Sequence, residues 1–284
     1  MPSQREIRRR IGSVGNISQI TRAMQFVAAS KLRRAQDATL ASRPYHDKLD
    51  EVLADVAAVI DAEEHPLLAE ERDGPRLVVL FTSDRGMAGS LNTNTIRFAA
   101  KVIAESSGDL TMVTVGRKGT AAMRRAHVPL AASFDGFGDR PTFGDVLPLA
   151  RLISDDFLAG TYVKVHLLYP AFVSTLVQRP EIRRLLPVKP NPDTAVGLPG
   201  RQFIFEPGPA HVLEQLMPRY VATRLFQAVL ELTASEHSSR MVAMRNATDN
   251  AEELIEDLTL TYNKVRQSNI TREMIEIATG ASSA

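Results

Sequence analysis

The chain has 284 residues, a formal net charge of +1 and 44% apolar residues, an ordinary balance for a soluble globular protein of one or two cored domains. It has no cysteine, which excludes structural disulfides, thiolate metal sites and cysteine nucleophiles. No run approaches about 18 uninterrupted apolar residues, and the Arg-rich start lacks an apolar stretch and a cleavage site, so neither a membrane span nor a secretory signal is expected.

The first predicted element is a long helix. Ile7, Ile11, Val14, Ile17, Ile20, Met24 and Val27 step by three or four, a narrow seam of the coiled-coil kind. Ser3 followed by Glu6 fits a capping box at its start. Gly12 and Gly15 weaken it slightly, and Pro44 is expected to kink it or divide it in two. Charge is uneven here. Residues 1–36 carry Arg5, Arg8, Arg9, Arg10, Arg22, Lys31, Arg33 and Arg34 against one acid, Glu6, whereas residues 51–73 carry eight acids against one arginine. Solvated helix faces account for this, and so does a basic segment facing acidic partner surfaces. No aromatic residues interleave with the basic ones, which argues against nucleic acid.

The middle of the chain reads differently. Fourteen of the 16 prolines and 13 of the 16 glycines fall between Pro66 and Pro218, so this stretch is turn-rich while the two ends are not. Arg76–Thr82, Leu110–Val115 and Tyr162–Leu168 are short, β-branched and apolar, and helical patterns such as Asn94–Ala104 and Val146–Leu158 separate them. That alternation predicts a mostly parallel sheet with helices on its faces. Gln202–Phe205 reads as a further strand. From Arg219 to Thr279 there is neither proline nor glycine, and Gly280 stands where a C-cap is expected. A helix of about 60 residues would span roughly 90 Å and calls for another helix beside it. Leu254, Leu258, Thr261 and Val265, continued by Ile270, Met274 and Ile277, supply a second seam. The two chain ends thus pair, and an α/β domain is inserted between them.

Candidate chemistry is sparse. Ser83-Asp84-Arg85-Gly86-Met87-Ala88-Gly89 follows the first strand, and Gly116-Arg117-Lys118-Gly119 follows the second. Each could cradle a phosphate or be a structural turn, but neither contains GxxxxGK[ST] or GxGxxG. The six histidines show no metal-ligand spacing. Asp155-Asp156 and Glu252-Glu253 are adjacent acids that would diverge on a helix, so joint acid–base work is not expected.

Several stretches carry a family signature. Ile17–Arg34 (ISQITRAMQFVAASKLRR), Thr82–Asn92 (TSDRGMAGSLN), Ser235–Asn250 (SEHSSRMVAMRNATDN) and Leu260–Ile277 (LTYNKVRQSNITREMIEI) together resemble the gamma subunit of F-type ATP synthases, in the right order and over nearly the whole chain. RPEIRRLLP near Leu185 and Phe205–Pro207 also fit. The turn departs modestly, with Met87 for Leu, Ala88 for Cys and Ser90 for Gly, and the redox insertion of the chloroplast form is missing.

The resemblance implies a non-catalytic rotor subunit: a central stalk that couples rotation of an ion-driven c ring to ATP synthesis or hydrolysis at the beta subunits of an alpha3beta3 ring. It implies alpha, beta, epsilon and the c ring as partners, no cofactor, no metal, no nucleic acid, and a peripheral place on the cytoplasmic side of the plasma membrane. By resemblance, Met24, Arg85, Ala88, Arg240, Arg266, Gln267, Thr271, Glu273 and Glu276 are rotor–stator contacts, and Phe203 and Glu206 are foot contacts to the c ring and epsilon. The fold class expected is α/β: an antiparallel coiled coil of N- and C-terminal helices (1–60 and 211–284) with an inserted Rossmann-like α/β domain (75–208). Exposed faces rich in Ala, Ser, Thr and Arg are expected to suit sliding.

Overall fold

The computed structural model describes residues 3–57, 68, 73–106, 108–189 and 205–282. It divides into two compact units, one made of Met1–Ala29 with Arg240–Ala284, the other of Ser30–Ser239. Helices α1 (Gln4–Ala57) and α5 (Pro209–Ser282) each contribute to both. The chain has N- and C-terminal helices and a central mixed α/β sheet between them in sequence, as expected.

In Ser30–Ser239 the sheet strands are β1 (Arg76–Phe81), β2 (Leu110–Val115), β3 (Leu130–Phe134), β4 (Lys164–Phe172) and β5 (Gln178–Leu186). Their order is β3-β2-β1-β4-β5; the first four are mutually parallel and β5 returns antiparallel to β4. Central β1 has both faces covered, which is why RLVVLF is a continuous apolar run rather than an alternating one. Leu77, Val79 and Phe81 join a core with α4 (Phe143–Leu158), the later part of α1 (Leu49, Leu53, Val56) and the early part of α5 (Leu213, Met217, Val221, Leu225). Val78 and Leu80 point the other way, into a smaller core under α2 (Leu91–Ala104) and α3 (Arg117–Arg125).

Several expectations change. Pro44 does not divide α1, which runs unbroken through it. An interior proline costs about 3 kcal/mol. Beyond it Leu49, Leu53 and Val56 are buried, each stabilising by about 1.5–3 kcal/mol, so tertiary packing outweighs the break. Pro218 likewise lies inside α5, which begins at Pro209 and continues two residues past Gly280. β3, β5 and α3 carry no clear pattern in the sequence: β3 holds two alanines, β5 holds Pro180 and four charges, and α3 holds Gly119. The strand expected at Gln202–Phe205 lies, apart from Phe205, outside the described residues.

In Met1–Ala29 with Arg240–Ala284 the two helices run antiparallel. Gln4 donates to the Tyr262 hydroxyl at 3.0 Å, Arg8 donates to the same oxygen, and the Thr21 and Thr248 hydroxyls meet at 2.7 Å. The Ser3 hydroxyl accepts the Glu6 amide at 3.3 Å, the N-cap half of the expected box. The seam, however, follows the stripe read from the sequence only in part. Buried positions on α1 are Ile7, Ser18, Thr21 and Ala28, and on α5 Met244, Thr248 and Ala251, while Ile17, Ile20 (60% exposed), Val27 and Leu254 face outward. Small residues let the backbones approach, and the larger apolar side chains are displaced to the flanks. Ile270, Met274 and Ile277 (72% exposed) extend past the start of α1 and have no seam to join. These faces are therefore more apolar than the sliding surface expected from the sequence.

Candidate functional site

The end of β1 is where a doubly wound sheet would ordinarily bind a ligand. Here the chain packs against itself. The buried Thr82 hydroxyl donates to the Val115 carbonyl at 3.1 Å and accepts from the Gly119 amide at 2.8 Å. Gly116 has φ +92°, and a Cβ there would lie 1.9 Å from the Thr82 carbonyl oxygen. Glycine is needed so that the start of α3 can close onto β1, not to leave room for a phosphate.

Asp84 completes the closure. One of its carboxylate oxygens accepts from the Arg117 amide and the other from the Gly136 amide, both at 3.0 Å. Arg117 opens α3, so the carboxylate occupies the helix N-terminus, the position a bound phosphate would take. The anion is supplied from within the chain.

The rest of the turn is fixed from α2. The Ser83 amide donates to the Asn92 side-chain oxygen at 3.1 Å, the Asn92 amide donates to the Ser83 hydroxyl at 2.8 Å, and that hydroxyl donates to the Arg85 carbonyl at 2.7 Å. Met87, at φ +60°, is 62% exposed and Arg85 is also exposed. Ala88 is 2% exposed, so the outward reach of the turn belongs to Met87 and Arg85.

Helix α5 grips this end of the sheet with one face. Ser235 donates to the Pro170 carbonyl at 2.9 Å, Ser238 to the Thr175 carbonyl at 2.6 Å and Ser239 to the Ala88 carbonyl at 2.6 Å. Spacings of three and four place these hydroxyls on a shared face. Nearby, His237 is 1% exposed and brings Nε2 to 3.5 Å from Asp139, whose other oxygen accepts from Lys31 of α1 at 2.6 Å. Burial pushes the Asp139 carboxyl up, but the Lys31 hydrogen bond and charge, with His237 and Arg85, outweigh it and hold the group below its ordinary range. Asp50 of α1 and Arg224 of α5 make a further link at 2.7 Å. The turn, the β4–β5 connection and both helices are thereby fastened to one another within Ser30–Ser239.

The sequence-derived site residues are not one cluster. Arg85 and Ala88 lie in the turn just described. Met24 and Arg240 are partly exposed in the helical unit. Arg266, Gln267, Thr271, Glu273 and Glu276 are exposed on the last turns of α5, where the Thr271 hydroxyl donates to the Gln267 carbonyl at 2.9 Å. Glu206 is exposed just before α5, and Phe203 lies outside the described residues. The sequence reading missed Lys31, Asp139 and the serine face. The i, i+3, i+4 spacing of Ser235, Ser238 and Ser239 was the available signal for the last of these. Among the described residues no His, Cys, Asp or Glu cluster could hold a metal ion, and no helix is long and apolar enough to cross a membrane.

A family model described as ATP synthase matches residues 3–284. The "ATP synthase gamma chain" of Roseiflexus sp. (strain RS-1) is 49% identical over 287 residues, covering 99% of this chain and 98% of that protein. The protein of the same description from Dehalococcoides mccartyi (strain CBDB1) is 47% identical over 287 residues, covering 99% of each. Among solved structures, a chain of the Euglena gracilis mitochondrial ATP synthase rotor in rotational state 1 superposes with a TM-score of 0.65 at 20% identity, covering 94% of this chain and 98% of that one. A chain of the central stalk and c ring of the Tetrahymena thermophila mitochondrial ATP synthase gives a TM-score of 0.62 at 24% identity, covering 80% and 99%. These two likenesses concern the fold.

Proposed function

The chain belongs to the ATP synthase gamma-chain family, and we propose that it is the central-stalk rotor of an ATP synthase, coupling ion-driven rotation of the c ring to ATP synthesis or hydrolysis at the beta subunits of an alpha3beta3 ring. The observation that carries this reading is 49% identity to a gamma chain across 99% of the sequence. The subunit is itself non-catalytic. Asp84 supports that part, since it fills from within the helix N-terminus that the sheet would otherwise offer to a phosphate. No cofactor is required. The partners are the alpha and beta subunits, epsilon and the c ring, and the subunit sits peripherally on the cytoplasmic side of the plasma membrane.

The mechanism is population shift by differential contact: an asymmetric rotor favours a different beta conformation at each angle. Arg266, Gln267, Thr271, Glu273 and Glu276 act as polar contacts to the ring, joined by Met24 and Arg240. Arg85 and its neighbour Met87 reach out from the turn, while buried Ala88 shapes it. Phe203 and Glu206 act at the foot. The fastening of α1 and α5 to the sheet through Lys31, Asp139, Ser235, Ser238 and Ser239 gives a route by which torque on the α/β domain reaches the shaft helices.

The reading is tested by reconstitution with alpha and beta subunits. The chain alone is expected to hydrolyse no ATP, and the assembled complex to turn over. Arg266→Ala with Gln267→Ala is expected to assemble normally and turn over more slowly, because charge-assisted hydrogen bonds worth about 1.5–3 kcal/mol each are lost at some angles only. Failure to co-assemble, or hydrolysis by the chain alone, overturns the proposal.

A further inference from the structure

The sheet has two edges, and they are built differently. β5 carries Arg179, Pro180, Glu181, Arg183 and Arg184, the charges and proline that blunt an edge against pairing. β3 reads Leu-Ala-Ala-Ser-Phe, without a charge or a proline. Its inner side is committed to β2: the Met112 amide donates to the Pro129 carbonyl at 2.9 Å and the Gly116 amide to the Phe134 carbonyl at 2.8 Å. No described strand lies on its outer side. Beside it is a groove of about 550 Å³ lined by Arg124, His127, Val128 and residues 130–133. The ionisable groups of that lining are Arg124 and His127, with no acid among them, and Arg125 is exposed next along the chain.

We propose that the β3 edge is a docking site for an extended, carboxylate-bearing strand of a neighbouring subunit of the complex, which adds to the sheet as a sixth strand. The open ladder supplies main-chain hydrogen bonds, and Arg124 and His127 supply the preference for acid. The five residues of β3 set the length of the added strand at about five residues, or roughly 17 Å. Arg124 lies in the last turn of α3, where its charge also complements the helix C-terminus, so it is positioned independently of any partner. The proposal rests on the rotor reading only for who the neighbour is.

Amide hydrogen exchange of residues 130–134, in the isolated full-length chain and in the intact ATP synthase, tests it. Exchange at the outward-facing amides among these, those not already bonded to β2, is expected to slow about tenfold or more on assembly. Arg124→Glu, and separately Ala131→Lys at an exposed edge position, are expected to assemble but lose that protection. Equal exchange in the isolated and assembled chain overturns the proposal and leaves the rotor reading standing. Protection already present in the isolated chain and rising with its concentration identifies a second copy as the occupant, which also overturns it. A chain that does not enter the complex refutes the rotor reading and this proposal together.

Discussion

The α/β unit buries residues 77–81 of β1 together with Leu149, Ile153, Leu213, Met217 and Leu225, all large and fully enclosed. The helical unit buries two large apolar side chains, Ile7 and Met244, beside Ser18, Thr21, Ala28, Thr248 and Ala251, and leaves Ile17, Ile20, Phe26, Val27, Leu260, Met274 and Ile277 outside. One region is stabilised by apolar burial of about 1.5–3 kcal/mol per large side chain. The other, apart from Ile7 and Met244, has small residues and a Thr–Thr contact where large ones would be expected. A helix pair of the second kind gains little from its own interior, and its outer faces are ready to be covered by something else. The difference marks which region is a folded domain in its own right and which one is completed by its surroundings.

The comparison is broken most severely by truncating the sheet core. Phe81→Ala is expected to cost about 3–5 kcal/mol, the usual penalty for deleting a buried aromatic ring. Ile20→Ala, equally apolar by sequence, is expected to stay within about 0.5 kcal/mol because its side chain is exposed. Denaturant unfolding of both variants checks this, and a comparable loss for the two would show that Ile20 is buried in the isolated chain.

Gly116→Ala comes next. Its φ of +92° is strained for any other residue, at about 1–3 kcal/mol, and the added Cβ would overlap the Thr82 carbonyl at 1.9 Å. A loss of about 3 kcal/mol is expected in thermal or denaturant unfolding. Gly136→Ala is the control, since it also has positive φ but nothing within 4 Å of the added Cβ. Equal losses at the two positions would show that strain alone, and not the approach of α3 to β1, decides the matter.

Much of the α/β unit was legible in the sequence because a sheet covered on both faces writes itself as continuous apolar runs. RLVVLF and LTMVTV could hardly be anything else. The edges were not legible: β5 is disguised by its charges and β3 by its brevity. In the helical unit the period was read correctly and the face only in part: Ile7 is buried and Ile11, Val14 and Met24 are half-buried, whereas Ile17, Ile20 and Val27 are exposed. Ile17, Ile20 and Val27 step like a seam, and only the structure reveals that Ser18 and Thr21, one position on, are the buried ones. Hydrophobic periodicity assumes that the largest side chains go inside, and a closely packed pair of small residues inverts that assumption. The fastening at Asp139 was invisible for another reason. Its partners Lys31 and His237 are about 100 residues away on either side, and no local pattern joins them.

The small-residue seam is sharpened by Thr21→Val. The Thr21 hydroxyl meets Thr248 at 2.7 Å inside the pair, and a methyl group in its place fills the volume without the bond. Thr248 keeps its bond to the Met244 carbonyl at 2.9 Å, so its hydroxyl is not stranded. A cost of about 1 kcal/mol is expected, and adding Thr248→Val should recover part of it. A double variant that loses the sum of the two single costs would mean that the hydroxyls act independently.

A smaller loss than these is expected at Asp139, above only the Ile20 control. Its carboxyl lies below its ordinary range in the folded chain because Lys31, His237 and Arg85 together outweigh the opposing effect of burial. A carboxyl depressed by folding contributes stability above its unfolded value, here 3.8, and loses it as the pH falls through the lower folded value. The side chain is 38% exposed, so solvent screens the pair, and Asp139→Asn should cost only about 0.5–1 kcal/mol near neutral pH. The stability gap between the unaltered chain and the Asp139→Asn variant should narrow as the pH falls through 3.8 and below, and close once the carboxyl is protonated in both states. It should also shrink in high salt, unlike the Phe81 and Gly116 losses, which are steric and apolar. A gap that persists once the carboxyl is protonated in both states would mean that Asp139 holds its loop through shape and hydrogen bonding rather than charge. The serine face of α5 would then be the principal tie between the shaft helix and the sheet.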